Sequence, residues 1–427
     1  MTLEVPLTQS IAANSVGAGV RILALNFESI FVTEGTVVGS TTGTAVVANG
    51  GDHLVAVDGT LIGHDSGLLI GHFGGSDNEV VVGQTGTIRG EFAGINVESS
   101  SSHIVNNGEI YGFNKGLSIA ASQASFDTIV NNGLISGGTA MSYSSAVSGS
   151  VLNMINHGAM IAGTSGIAYF AIGTADETIR NTGEIFGVIL FGAGNDTYDG
   201  RGGEIDSTVS GQTGNDTFIA GRSVETFDGG DGTDLLDFSR SGGVIVSLDN
   251  SVDGTRGAED DTYLNIEMLL GSRTGADELY GDGGNNLLWG QGGADALSGG
   301  LGADRLSGGT DKDQLTGGGG NDTIVFNGLG DCGDTIADFS GLVGNDDVVW
   351  IKAAAFGGGL VAGVALAAGQ FQTGAGHAAL GANVRFIYDT ATTSLWYDVN
   401  GNAAGGLTMV ADLQDAASFG ISDVVLF

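Results

Sequence analysis

The sequence predicts an all-β molecule built as a solenoid. A parallel β-helix of about 25-residue coils continues into a tighter winding of nine-residue units and ends in a small β cap. Two periods carry this expectation. Gly35, Gly59, Gly86, Gly108, Gly133, Gly158 and Gly183 recur at intervals of 24, 27, 22, 25, 25 and 25 residues. From Asp277 the period drops to nine and does not slip through Asn286, Asp295, Asp304, Asp313 and Asp322. Composition is the third observation: 79 glycines against 1 proline, without a G-X-Y triplet, is glycine-rich but not collagen-like.

In chain order, residues 1–29 read as a cap over the first coil, because a terminal coil needs covering. Residues 30–190 are the β-helix. Its last four repeats superpose, with Ile104, Ile129, Met154 and Ile179 in one apolar column and Ile110, Ile135, Met160 and Ile185 in another. Asn106, Asn131, Asn156 and Asn181 align at one turn. Asparagine tolerates left-handed turn conformations, so this column predicts a side-chain ladder. No charged residue recurs at a fixed loop position, so no bound ion is expected in these coils. By pattern the region resembles the β-helical passenger regions of surface adhesins and autotransporters. Nothing like a linker follows Leu190, which predicts one continuous rod.

Residues 191–326 carry glycine loops that end in an acid. Phe191-Gly192-Ala193-Gly194-Asn195-Asp196, Gly211-Gln212-Thr213-Gly214-Asn215-Asp216 and Gly229-Gly230-Asp231-Gly232-Thr233-Asp234 form a loose first array. Asp216, Glu225 and Asp234 keep the nine-residue spacing, whereas Asp196 stands two residues off register. Residues 239–270 interrupt the repeat with an alternating strand at 243–248 and an acidic loop, Glu259-Asp260-Asp261, and read as an insertion. The regular array follows, with Leu279, Leu288, Leu297, Leu306, Leu315 and Ile324 two residues after each acid or amide. Each unit is therefore a six-residue loop and a three-residue strand. Burying its one leucine is worth about 1.5–3 kcal/mol. Ordering nine backbones costs about 1–2 kcal/mol each. Apolar burial cannot hold such a unit, so a bound ion has to supply the difference. Loop carbonyls plus one carboxylate are the hard oxygen donors that Ca²⁺ prefers.

Gly299-Gly300-Leu301-Gly302-Ala303-Asp304-Arg305-Leu306 and Gly317-Gly318-Gly319-Gly320-Asn321-Asp322-Thr323-Ile324 fit the nonapeptide G-G-x-G-x-D-x-U-x. With them the chain resembles the RTX (repeats-in-toxin, haemolysin-type calcium-binding) family over residues 191–427, most strongly over 271–326. The resemblance implies a parallel β-roll in which two nonapeptides make one turn and each ion sits between loops two units apart. One edge then holds Asp277, Asp295 and Asp313, and the other Asn286, Asp304 and Asp322. That makes about four stacked sites. The site between Asn286 and Asp304 lacks a carboxylate and is expected to be the weakest. Asp216 and Asp234 imply a further site, and Asp196 one more. The loop glycines of these sites are Gly214, Gly232, Gly275, Gly293, Gly300, Gly302, Gly309, Gly318 and Gly320, while Asp311 stands where a glycine is expected. The family also implies export by type I secretion machinery. The chain would thread unfolded out of a calcium-poor cytosol and fold outside, where sites with dissociation constants of about 10⁻⁴–10⁻³ M fill.

Residues 327–427 lose the period and read as a C-terminal cap. A hairpin is expected between 385–388 and 394–397. The final Asp423-Val424-Val425-Leu426-Phe427 resembles the uncleaved signals of exported RTX cargo; a last strand closing the cap fits the same residues. Asp398-Val399-Asn400-Gly401-Asn402 begins like an EF-hand, but Met409 stands where the loop needs Glu, so an Asx-rich turn is expected.

Charge narrows the partners. The net charge is −36, and residues 191–346 hold 28 acidic residues against 7 basic ones. Bound divalent ions would offset that repulsion, and nucleic acid or anionic membrane is a poor partner. A single cysteine, Cys332, allows no intrachain disulfide. The first twenty residues carry no positive charge, unlike a Sec signal peptide, and the apolar run 360–368 is too short for a bilayer span. H-E-x-x-H and G-x-S-x-G are both absent. Gly63-His64-Asp65-Ser66-Gly67 holds three triad residue types, but neighbours on a strand point to opposite faces, so a turn is expected. The rival to a binding role is a polysaccharide lyase or epimerase using Glu109, Lys115, His157, Arg180 and Glu184. Glu109 and Glu184 share a column with Leu134 and Ala159 between them; three strand spacings put them roughly 14 Å apart, too far to share a proton. The preferred reading is a secreted, extracellular or cell-surface calcium-binding protein, structural or adhesive, meeting surface polysaccharide or its own copies.

Overall fold

A computed structural model describes residues 8–19, 22–25, 28–72, 76–121, 123–145, 147–221, 225–252, 254–255, 258, 260–342, 345–414 and 419–427. The chain divides into two compact units, Met1–Asp234 and Leu235–Phe427. Among the described residues no helix is long and apolar enough to cross a membrane.

The first unit winds as a parallel β-helix. Its opening strands Thr8–Ile11, Ser15–Gly17 and Ile22–Ala24 pair in parallel with Ser29–Val32, Val37–Ser40 and Val46–Asn49, so the segment expected as a cap is itself a coil. In later coils two of the three expected strands merge into one long bent strand, as in Glu109–Ala121 and Leu134–Ser145. The bend is a register shift between Gly112 and Lys115. Both aliphatic columns lie in register, Ile104 on Ile129, Met154 and Ile179, and Ile110 on Ile135, Met160 and Ile185. No residue of either column is more than 1% exposed. The asparagine ladder forms as the alignment predicts: Asn106 Nδ2 donates to Asn131 Oδ1 at 2.8 Å, Asn131 to Asn156 at 2.7 Å and Asn156 to Asn181 at 2.8 Å. Beside it the glycine column permits close stacking, since a Cβ on Gly133 would strike the carbonyl of Gly108.

The second unit alternates two parallel stacks. Glu278–Tyr280, Ala296–Leu301 and Gln314–Gly319 bring Leu279, Leu297 and Leu315 into one column. Met268–Leu270, Leu287–Gly292, Arg305–Thr310 and Thr323–Phe326 bring Leu269, Leu288, Leu306 and Ile324 into the other. None of these seven is more than 2% exposed. Successive nonapeptides thus fall on opposite edges, the roll that the resemblance implies. Part of 239–270 belongs to this roll: Ile245–Ser247 pairs with Glu278–Tyr280, seating Val246 on Leu279, and Met268–Leu270 joins the other stack after Leu235–Asp237. Glu259 lies outside the described residues.

The cap continues both stacks with other residues. Val348–Ile351 follows Thr323–Phe326, and Val424–Leu426 follows it in turn, so the end of the chain is a further rung. On the opposite side Asp334–Ile336 follows Gln314–Gly319 and leads to Leu407–Leu413. The expected hairpin is antiparallel, with Phe386 opposite Tyr397 and Ile387 opposite Trp396. Tyr397 fixes it by packing edge-on to Phe356 at 5.1 Å and donating to the Phe356 carbonyl at 3.0 Å. Asn400 N donates to Asp398 Oδ1 at 3.1 Å, so the EF-hand-like start is an Asx turn.

Candidate metal centres

Each loop acid is placed by the apolar residue two positions later. Once Leu306 enters its column, Asp304 lies at the start of the strand with its side chain turned in beside the loop. One carboxylate oxygen then caps the backbone of the loop one turn earlier. Asp277 N donates to Asp295 Oδ1, and Asp295 N to Asp313 Oδ1, both at 2.8 Å. On the other edge Asn286 N donates to Asp304 Oδ1 at 2.7 Å and Asp304 N to Asp322 Oδ1 at 2.8 Å. The first unit repeats the clamp, with Asp196 N to Asp216 Oδ1 and Asp216 N to Asp234 Oδ1, both at 2.7 Å. Asp196 therefore stands in the ladder despite its offset in sequence. The ladder is a chain of charge-assisted hydrogen bonds running along each edge.

The second oxygen of these acids is the informative one. Oδ2 of Asp196, Asp216, Asp295, Asp304, Asp313 and Asp322 is buried and accepts no hydrogen bond, and each residue is at most 2% exposed. Buried polar oxygens normally have partners, and a buried unpaired carboxylate is costly. Burial pushes the carboxyl of Asp295 up to about 7, and those of Asp216, Asp304 and Asp313 up to about 6. A hard divalent cation fits this donor set, since it would take up the free oxygens and restore the charged form. Two predicted positions differ. Asn286 Oδ1 already accepts Asp282 N at 2.8 Å, and Asp277 Oδ2 accepts Ser272 N at 2.7 Å.

Glycine shapes the loops in two ways. Gly214, Gly232, Gly293, Gly300, Gly302, Gly309, Gly318 and Gly320 all have φ between +100° and +153°, where a side chain is strained. Gly275 has no positive φ; a Cβ there would meet Gly243 N and Ser272 Oγ, so close packing requires it. At Asp311 the left-handed conformation is kept with φ +84°, as it is at Gln212 (φ +69°) and Gln291 (φ +75°).

Sequence reasoning missed two rungs. Asp313 N donates to Asp334 Oδ1 at 3.1 Å, and Asp322 N to Asp347 Oδ1 at 3.0 Å. Burial raises Asp334 to about 8 and Asp347 to about 6. The signal was present: Asp334-Thr335-Ile336 and Asp347-Val348-Val349 keep the D-x-U end of the unit after its glycines are gone. Asp338 then covers the loop stack, accepting Gly317 N at 2.9 Å and Gly318 N at 2.8 Å.

Among the described residues no ion pair links the groups weighed for sugar chemistry, Glu109, Lys115, His157, Arg180 and Glu184, to one another. Glu109, Leu134, Ala159 and Glu184 follow one another in register, as expected. Glu109 pairs with Arg89 at 3.0 Å, His157 Nδ1 contacts Thr182 Oγ1 at 2.5 Å, and Arg180 faces Asp199 at 3.9 Å. Burial lowers the pKa of Lys115, and Glu184 is exposed. His64 and Asp65 form the bend between strands Thr60–Gly63 and Ser66–His72, with His64 Nδ1 3.2 Å from Glu91.

Residues 201–236, 273–306 and 298–328 match the RTX calcium-binding nonapeptide repeat (4 copies). No curated protein matches the chain. Repeat loops, alternating edges and inward-turned aspartates agree, and the chain carries RTX calcium-binding nonapeptide repeats in a parallel β-sheet solenoid.

Proposed function

We propose that this chain is an extracellular protein that leaves the cell by type I secretion, folds on meeting calcium, and serves a structural or adhesive role at the cell surface. The observation that carries the reading is the set of buried, unpartnered Oδ2 atoms of Asp196, Asp216, Asp295, Asp304, Asp313 and Asp322. In this reading Asp196, Asp216 and Asp234 line the ion sites of the first unit, Asp277, Asn286, Asp295, Asp304, Asp313 and Asp322 line those on the two edges of the second, and Asp334 and Asp347 end those edges. Low cytosolic calcium leaves these acids charged and mutually repelling, which favours an extended chain. Millimolar calcium outside reverses that balance.

Support for a contact role comes from the coils before residue 190. Phe92, Phe113 and Phe126 are 45%, 70% and 67% exposed, and large exposed aromatic side chains suit the faces of sugar rings or a second copy. Incubation with alginate and pectin in millimolar calcium tests this. Retention on a polysaccharide whose chains stay intact is the expected result. Cleavage or epimerisation that disappears in Glu109→Gln or His157→Ala would replace adhesion with catalysis. Co-production with a type I exporter is expected to deliver the chain to the medium; retention inside the cells would contradict the export route.

A further inference from the structure

One loop of the β-helix, where the sequence suggested no ion, is built like the loops of the repeats. Ile172-Gly173-Thr174-Ala175-Asp176-Glu177-Thr178-Ile179 lies one coil before Phe191-Gly192-Ala193-Gly194-Asn195-Asp196-Thr197-Tyr198. Gly173 has φ +129° at the second position, where Gly230, Gly300, Gly309 and Gly318 also have positive φ. Ile179 is fully buried at the eighth position and pairs with Tyr198. Glu177 takes the sixth position, and its N–H donates to Asp196 Oδ1 at 2.7 Å, the ladder bond of the repeats. The stacking bond between the two loops runs from Ala193 N to the Gly173 carbonyl at 2.8 Å.

The side chains add an independent observation. Glu177 is 2% exposed and Asp196 1%, and neither Glu177 Oε2 nor Asp196 Oδ2 has a hydrogen-bond partner. The two carboxyls interact directly, and Glu177 also accepts the Gly192 N–H. Tyr169 is fully buried with an unpartnered hydroxyl and feels the charge of both. Among the described residues no ion pair reaches either acid. Two buried carboxyls in contact need a cation or a shared proton between them. The loop geometry, common to the calcium-binding repeats, favours the cation.

We propose that Glu177 and Asp196 hold a calcium ion between the last loop of the β-helix and the first loop of the array, outside the matched repeats. This rests on calcium filling the repeats, and it extends the first unit's row of sites upstream to residue 177. Equilibrium dialysis of the full chain against radiolabelled calcium tests it, with wild type, Glu177→Gln and Asp304→Asn in parallel. Glu177→Gln is expected to bind one ion fewer than wild type, with the remaining sites unchanged, whereas Asp304→Asn loses binding in the regular array. Equal stoichiometry in wild type and Glu177→Gln would overturn the site and leave a shared proton. No calcium uptake by wild type would overturn the reading of the repeats as well. Crystals of the wild-type protein grown with terbium give a second readout that needs no variant. An anomalous peak between Glu177 Oε2 and Asp196 Oδ2 is expected, and peaks confined to the repeats would overturn the proposal.

Discussion

The two oxygens of a ladder aspartate do different work, and substitutions separate them. Asp304→Ala leaves Asn286 N–H without its acceptor, which costs about 1–3 kcal/mol, and removes a carboxylate from the two proposed sites that it adjoins. Asp304→Asn keeps an acceptor and loses only the charge. Both variants are expected to need more calcium to fold in a titration followed by circular dichroism. Only the alanine is expected also to melt earlier at saturating calcium, with the coils before residue 190 untouched. Titration behaviour follows from the same burial. The carboxyls of Asp216, Asp295, Asp304 and Asp313 are raised from 3.8 to about 6 or 7. A raised folded pKa means that the calcium-free roll binds protons more tightly than the unfolded chain. That stabilisation is whole below the unfolded value and is lost as pH rises through 6 to 7. In EDTA, therefore, ordered structure is expected to increase as pH falls from about 8 to about 5. With calcium the trend reverses, because protons compete for the ligands. An identical pH profile with and without calcium would contradict this. The acids at nine-residue spacing were legible in the sequence; Glu177 was not, because it has glutamate for aspartate and alanine for the second glycine.

Elements read well where a period repeats and poorly where it breaks. The columns through Ile104, Ile110 and Asn106 followed from a 25-residue alignment, because stacked coils put equivalent residues in register. The segment 239–270 read as an insertion because it lacks loop glycines, yet Ile245–Ser247 joins the roll through strand pairing and Val244 N makes the ladder bond to Asp277 Oδ1 at 2.7 Å. Asp334 and Asp347 escaped for a related reason: they stand 21 and 25 residues after their ladder partners instead of 18. The asparagine ladder yields a prediction at this scale. Asn131→Ala would leave Asn106 Nδ2 and Asn156 Oδ1 facing a buried gap, at about 1–3 kcal/mol for each unsatisfied group. Calorimetry is expected to show earlier melting of the β-helix with the calcium response of residues 235–427 intact. Loss of both together would show that the ladder also supports the roll. Gly318→Ala tests the loop, since φ is +100° and the new Cβ would meet the carbonyl of Gly300. The strain alone costs about 1–3 kcal/mol, so a higher calcium midpoint is expected and an unchanged one would count against the loop account.

For the whole chain the governing quantity is charge against apolar burial. The 28 acids and 7 bases of residues 191–346 repel one another, and one buried aliphatic side chain per nine residues cannot offset both that repulsion and the ordering of the backbone. The β-helix coils bury several aliphatic residues each and carry less charge, so calcium dependence is expected to be concentrated in the repeats. Far-UV circular dichroism of the intact protein, recorded in EDTA and after calcium is restored to millimolar excess, tests this most directly. A large gain in β-sheet signal is expected on adding calcium, reversed by chelation, over a residual signal from the coils that persists in EDTA. A spectrum that is the same in EDTA and in calcium would contradict it.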